Sequence, residues 1–263
     1  MARPVIALLT DFGLRDHYAG TMKGVALGIC PDATLVDISH EIPVHDVVAG
    51  ALELTASYRY FPAGTVFLVV VDPGVGSARR GIAGETAEYR FVAPDNGVLS
   101  VVFDETPPKR VVELTERRYA RATVSRTFEG RDRFAPAAAW LAKGVELSAL
   151  GRPAGPLHHL ELPHAKVGSD EIVGEVLRVD RFGNLITNID RRTFERLAGP
   201  EMDIRVGDHR VSKVVSTYAD ATAGEVCALF GSTDHLEIAA NGTSAATALG
   251  LGRGAPVHIA RPA

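Results

Sequence analysis

The chain has 263 residues, 46% of them apolar and 23% charged, with a formal net charge of −4. That balance excludes a disordered chain and leaves room for one or two globular domains. No Lys/Arg-rich run marks a nucleic-acid or anionic-membrane partner, and no apolar stretch approaches the ~20 residues of a bilayer span.

Met1-Ala2-Arg3-Pro4 leads straight into a strand-like segment with no charged-then-apolar leader, so a cytoplasmic protein is expected. Cys30 and Cys227 lie far apart in apolar surroundings and read as buried thiols in a reducing compartment. Residues 5–10 read as a buried strand. Residues 16–30 have helical spacing closed by Pro31, residues 34–38 form a short strand, and residues 46–60 a helix with Asp46 as N-cap and Pro62 as stop. Val66-Phe67-Leu68-Val69-Val70-Val71 is the unbroken apolar run of a strand buried on both faces. It empties into Asp72-Pro73-Gly74-Val75-Gly76-Ser77-Ala78-Arg79-Arg80, one carboxylate and two guanidinium groups at the strand's C-terminal end, the edge where open α/β sheets bind ligands. Pro94-Asp95-Asn96-Gly97 is a turn, and residues 131–143 make an Ala-rich helix ending at Gly144. Strand–helix alternation predicts an α/β domain with a mostly parallel sheet flanked by helices. Residues 151–168, rich in Pro and Gly, read as a linker. Beyond them, short strand-like runs at 172–179, 185–189, 204–206, 210–215, 226–230, 236–239 and 257–260 predict a small β-barrel or sandwich.

Several clusters carry chemistry. Asp11, ending the first strand, suits a ribose diol or a plain turn equally well. The loop from Gly74 to Arg79 is neither a dinucleotide fingerprint, because Arg79 takes the third Gly position, nor a Walker loop. An exposed ion pair would add little stability, which favours a site over a simple turn at Asp72, Arg79 and Arg80. Residues 128–134 pack four charges between two Phe, which by itself reads as a solvated helix start. Asp180-Arg181-Phe182-Gly183-Asn184 offers a carboxylate, an aromatic face and a carboxamide, able to hold an ammonium, stack a purine and bond its edge. Tyr218 offers a second face, and Gly231-Ser232 and Asn241-Gly242 expose backbone; ordinary hairpin turns are the plainer reading of all four. Neither Cys-x-x-Cys nor His-Glu-x-x-His occurs, so no metal is expected.

Taken in order, Leu8-Leu9-Thr10-Asp11-Phe12-Gly13, Tyr18-Ala19-Gly20-Thr21-Met22-Lys23-Gly24, Val71-Asp72-Pro73-Gly74-Val75-Gly76, Ala93-Pro94-Asp95-Asn96-Gly97, Gly130-Arg131-Asp132, Arg181-Phe182-Gly183-Asn184 and Leu236-Glu237-Ile238-Ala239 resemble the S-adenosylmethionine hydroxide adenosyltransferase family, the water-using branch of the fluorinase and chlorinase superfamily. The resemblance runs from about residue 4 to residue 260. It implies an α/β domain over 1–160 carrying the nucleophile-activating site. It also implies a β-barrel domain over 169–263 contacting adenine and methionine across a subunit interface of a homotrimer. The implied reaction takes S-adenosylmethionine and water to adenosine and L-methionine, with no metal or redox cofactor. By the family's pattern Asp11 holds the ribose hydroxyls, Asp16 and Ser232 the methionine portion, and Asp180 lies near its ammonium. Phe182 and Tyr218 flank adenine, Asn184 bonds its edge, and Gly242 belongs to the same substrate site. Of the family's Asp, Arg and His around the water, Asp72 and Arg79 match the first two, whereas Glu129 stands where the pattern has His.

Attack on the ribose 5′ carbon releases a neutral thioether that needs no proton, so the protein must align a nucleophile, exclude bulk water and accept a proton. A carboxylate 4 Å from a halide would repel it by roughly 4 kcal/mol at an effective dielectric near 20, which favours water over halide. Glu129 has three possible roles: it replaces His as proton acceptor, it pairs with Arg79 or Arg131, or it silences turnover. A halide-using 5′-halo-5′-deoxyadenosine synthase and a catalytically silent nucleoside-binding protein therefore stand as alternatives.

Overall fold

The computed structural model describes residues 3–197 and 202–261. The chain forms two compact units, Met1–Glu161 and Leu162–Ala263.

The first unit is built on a six-stranded sheet. Its strands are β1 (Val5–Thr10), β2 (Thr34–Ser39), β3 (Val66–Val70), β4 (Gly81–Glu85), β5 (Arg90–Pro94) and β6 (Arg110–Glu113), in the order β2-β1-β3-β5-β4-β6. The β1–β2, β1–β3 and β3–β5 pairs are parallel, while β4 runs antiparallel to β5 and β6. Successive residues of β1 and β3 alternate between two apolar layers. Ile6, Leu8, Val66 and Leu68 face Met22 of α1 (Tyr18–Ile29) and Leu141, and Ala7, Leu9, Phe67 and Val69 face Leu54 of α2 (Val47–Ser57) and Val102 of α3 (Ser100–Glu105). Both faces are covered, so the core strands read as continuous apolar runs and not as alternation.

The helix expected over 46–60 is α2 followed by a 3₁₀ turn, and Asp46 caps it by accepting from the Ala49 N–H at 2.9 Å. The helix expected over 16–30 starts later, at Tyr18, with Asp16 exposed ahead of it. The helix expected over 131–143 opens instead with a π-helical turn, Gly130–Phe134, before α4 (Ala135–Ala142). A wider turn of this kind commonly accompanies a functional site. The stretch read as a linker is an ordered strap as far as Leu160. Arg152 O accepts from Glu113 N, Ala154 N donates to Val111 O, His158 N donates to Asp95 and Leu160 N to the Ser100 hydroxyl.

The second unit is a nearly closed antiparallel barrel, which decides between barrel and sandwich. It comprises β7 (Lys166–Val167), β8 (Glu171–Val179), β9 (Leu185–Asp190), α5 (Arg191–Leu197), β10 (Asp203–Val206), β11 (His209–Val211), β12 (Val226–Phe230), β13 (His235–Ala240), α6 (Ala245–Leu249) and β14 (Pro256–Ala260). Strand order is β11-β10-β14-β8-β9-β13-β12. The strand expected over 210–215 is split: β11 ends at Val211, and residues 213–215 then lie on β12, with Val215 N donating to Ala228 O and Ala228 N to Lys213 O. Ile172, Val176, Ile204, Leu236, Ile238, Val257 and Ile259 fill the barrel core. Among the described residues no helix is long and apolar enough to cross a membrane.

Candidate active site

In the first unit the site begins where β1 and β3 end. These strands are parallel neighbours with Thr10 opposite Val70, so Asp11 and Asp72 leave adjacent C-terminal ends of the sheet. The loop after Asp72 curls back on itself. Ser77 donates to Gly74 O at 2.6 Å, Arg79 N donates to the Ser77 hydroxyl at 3.1 Å, and Gly76 turns with φ +75°. A Cβ on Gly76 would lie 2.3 Å from the Arg126 carbonyl oxygen, so both conformation and space require glycine there.

The curl returns the Arg79 guanidinium to Asp72 as a bidentate pair, Nε to Oδ1 at 3.0 Å and Nη2 to Oδ2 at 2.6 Å. The same Nη2 reaches Glu129 Oε2 at 3.0 Å. Glu129 stands at the head of the π turn, which carries it toward the end of β3, and Arg79 lies over the Phe134 ring at 5.2 Å. All three side chains are nearly dry, at 5%, 8% and 11% exposure for Asp72, Arg79 and Glu129. Two carboxylates thus share one guanidinium, with Arg133 4.0 Å from Glu129 at the rim. Burial pushes the Asp72 carboxyl above its usual value; Glu129 adds to the rise and Arg79 opposes it.

Of the two arginines offered to Glu129 as partners, it pairs with Arg79. Arg131 instead clasps Asp132 through two bonds of 2.7 Å and lies over the Phe128 ring. Arg80, grouped with Asp72 in the sequence, turns away to Asp95 and to Pro156 O, and is a tie for the strap. Asp11 accepts from the His45 N–H at 2.8 Å, and Asp16 is exposed. Phe12, Tyr18 and Phe128 form an aromatic cluster immediately before Glu129, with ring centroids 5.0–6.0 Å apart. Phe12 and Phe128 were visible in the sequence only as flanks of charged motifs.

In the second unit six expected residues line one pocket of about 910 Å³: Asp180, Phe182, Asn184, Tyr218, Ser232 and Gly242. The turn between β8 and β9 is held by Asp180. Its Oδ1 accepts from Phe182 N and Asn184 N, and its Oδ2 from Asn184 Nδ2. Asp180 N donates in turn to the Asn184 main-chain carbonyl at 3.0 Å, so the side-chain oxygen of Asn184 is the acceptor this turn does not use. Phe182 is thrown outward at 78% exposure, as a residue meant for a ligand or partner would be. Gly183 has φ +84°, and its missing side chain makes room for Ser244. Sequence reasoning gave Glu237 no role, yet it lines this pocket as a buried carboxylate. The available signal was an acidic residue inside the apolar run Leu236-Glu237-Ile238-Ala239.

With this geometry in hand, the comparisons with known proteins are decisive. Residues 6–151 match the SAM hydroxide adenosyltransferase N-terminal domain and residues 174–258 the C-terminal domain of the same family. The chain belongs to the SAM hydroxide adenosyltransferase family. Relatives in it include the (R)-S-adenosyl-L-methionine hydrolase of Thermus thermophilus, 40% identical over 98% of this chain and 99% of the relative, and that of Salinispora tropica, 38% identical over 97% of each. A fluorinase of Nocardia brasiliensis is 29% identical over 98% of this chain and 97% of its own. The crystal structure of an uncharacterized conserved protein from Thermotoga maritima superposes with a TM-score of 0.92 at 37% identity, covering 97% of this chain and 100% of that one.

Proposed function

We propose that this protein hydrolyses S-adenosyl-L-methionine to adenosine and L-methionine by in-line attack of water on the ribose 5′ carbon. The observation that carries the reading is the dry Asp72–Arg79–Glu129 cluster at the C-terminal edge of β3. A carboxylate whose proton affinity is raised by burial is a better acceptor at neutral pH than a free one. Asp72 takes the proton of the attacking water. Arg79 holds Asp72 in place and offers positive charge to the nascent hydroxide. Glu129 replaces the pattern's His as a second anchor for Arg79. Two carboxylates against one guanidinium make a poor seat for a halide, and relatives named as hydrolases are 35–40% identical to this chain against 29–30% for those named as fluorinases.

Substrate roles follow the family resemblance. Asp11 takes the ribose hydroxyls, Phe182 and Tyr218 flank adenine, and Asn184 bonds its edge. Asp16 and Ser232 hold the methionine portion, Asp180 lies near its ammonium, and Gly242 leaves the backbone open beside the base. The carboxylates attract the sulfonium, whose charge is lost at the transition state, so they aid binding more than rate. The reaction needs no metal or redox cofactor, and the family resemblance supports a cytoplasmic homotrimer with active sites at subunit interfaces.

Product identification tests the reading. Purified protein with S-adenosylmethionine is expected to yield adenosine and methionine, with or without added chloride. Formation of 5′-chloro-5′-deoxyadenosine, or substrate left intact over hours despite tight binding, would overturn it. A finer test is Glu129→Gln. Removing this like charge lowers the proton affinity of Asp72, so the acid limb of the kcat–pH profile should move to lower pH while Arg79 keeps an acceptor. An acid limb that stays in place would separate Glu129 from the proton transfer.

A further inference from the structure

Glu237 sits on β13, flanked across the sheet by Leu229 and Ile186, among apolar strand residues. It is 5% exposed, and burial raises its proton affinity. A carboxylate there is costly unless it is bonded and used. Its Oε2 accepts from the Tyr218 hydroxyl at 3.0 Å, and this bond together with burial pushes the Tyr218 phenol up to about 12. The phenol is therefore a fixed donor throughout the working pH range. Its Oε1 occupies the space a side chain on residue 231 would fill: a Cβ on Gly231 would lie 1.7 Å from that oxygen. Tyr218 is 41% exposed and lines the pocket. The segment carrying it is closed by a Thr217–Asp220 capping box, and Asn241 Nδ2 donates to Ala221 O at 2.7 Å. The backbone is thus fixed on either side, and the Glu237 bond fixes the ring between them.

We infer that Glu237 is a positioning residue that sets the nucleoside affinity of this pocket by holding the Tyr218 ring as a wall for the base, and that Gly231 is the space this carboxylate requires. The inference rests on the adenine-binding reading above. Asp180 cannot do the same work, because its carboxylate is engaged by its own turn. An adenine wall is used equally in ground and transition states, so weakening it raises KM more than it lowers kcat.

The test is a double-mutant cycle read by calorimetry with adenosine, beside steady-state kinetics with S-adenosylmethionine. Glu237→Ala is expected to weaken adenosine binding by about tenfold and to raise KM by a similar factor, with kcat moved less. Glu237→Gln keeps the acceptor and should stay within about threefold of the parent. Tyr218→Phe should match Glu237→Ala, and the double variant should be no weaker than either single one. Gly231→Ala, which displaces the carboxylate while leaving it in the chain, should reproduce the loss and serves if Glu237→Ala does not fold. Additive effects, a Gln variant as weak as the Ala one, or unchanged adenosine affinity in Glu237→Ala would overturn the inference. Parent protein that fails to bind adenosine would instead overturn the functional reading beneath it.

Discussion

Asp72→Asn is expected to reduce kcat by about 10³-fold while leaving affinity for adenosine within a few-fold of the parent. The amide keeps the size of the side chain and one acceptor for Arg79, but it cannot take the water's proton. Stability should not fall with activity. Burial raises the Asp72 proton affinity above the usual 3.8, so the folded protein binds this proton more tightly than the unfolded chain. Stability from this group is greatest in acid and falls as pH rises from about 3.8 through the raised folded value. At neutral pH the ionised group therefore costs stability, and the amide removes that cost while Arg79 retains Glu129. The expected result is a nearly inactive protein whose Tm is equal to or above that of the parent. A Tm several degrees lower, or kcat within tenfold of the parent, would contradict the role assigned to Asp72.

Arg79→Met, by contrast, should cost both activity and stability. Arg79 is the cation between Asp72 and Glu129, and all three side chains are nearly dry. Removing one partner from a buried pair typically costs about 3–5 kcal/mol, because the remaining charge stays buried and unpaired. In a unit of this size that corresponds to a fall in Tm of roughly 10 °C. Here two carboxylates are left side by side, so one must take up a proton to relieve the repulsion. The folded variant then binds more protons than the unfolded chain, and the stability deficit must grow as pH rises from 5 to 8. Differential scanning calorimetry across that range measures it. A deficit that is absent, or that shrinks with pH, would mean that Arg79 does not balance these carboxylates.

The strand edges of this site are legible in the sequence for a local reason. Residues 66–71 are apolar without interruption because helices cover both faces of β3, and the Pro and Gly that follow can only turn. The same holds for the Asp46 cap and for the Asp180 turn, whose hydrogen bonds span two to four residues. What stays hidden depends on distant partners. The return of Arg79 to Asp72 needs Gly76 to pass beneath the Arg126 carbonyl, fifty residues further on. The neighbouring Arg80 looks equivalent in the sequence, yet Asp95 and Pro156 draw it away. The π turn that delivers Glu129 has no signature in Gly130-Arg131-Asp132-Arg133-Phe134. Residues 151–160 have the composition of a linker, but their main chain finds backbone partners on β6 and the Asp95 carboxylate beside β5. Glu237 has no role in the sequence because its bond to Tyr218 spans nineteen residues and its fit against Gly231 appears only once β13 folds back on β12.

Water as the nucleophile at the ribose 5′ carbon is tested most directly by turnover of S-adenosylmethionine in ¹⁸O-enriched water, with the products resolved by mass spectrometry. One heavy oxygen is expected per adenosine, located at the 5′ hydroxyl, with methionine unlabelled. Adenosine released without the label, or a nucleoside product bearing any other group at that carbon, would contradict the assignment of Asp72 and Arg79 to an activated solvent molecule.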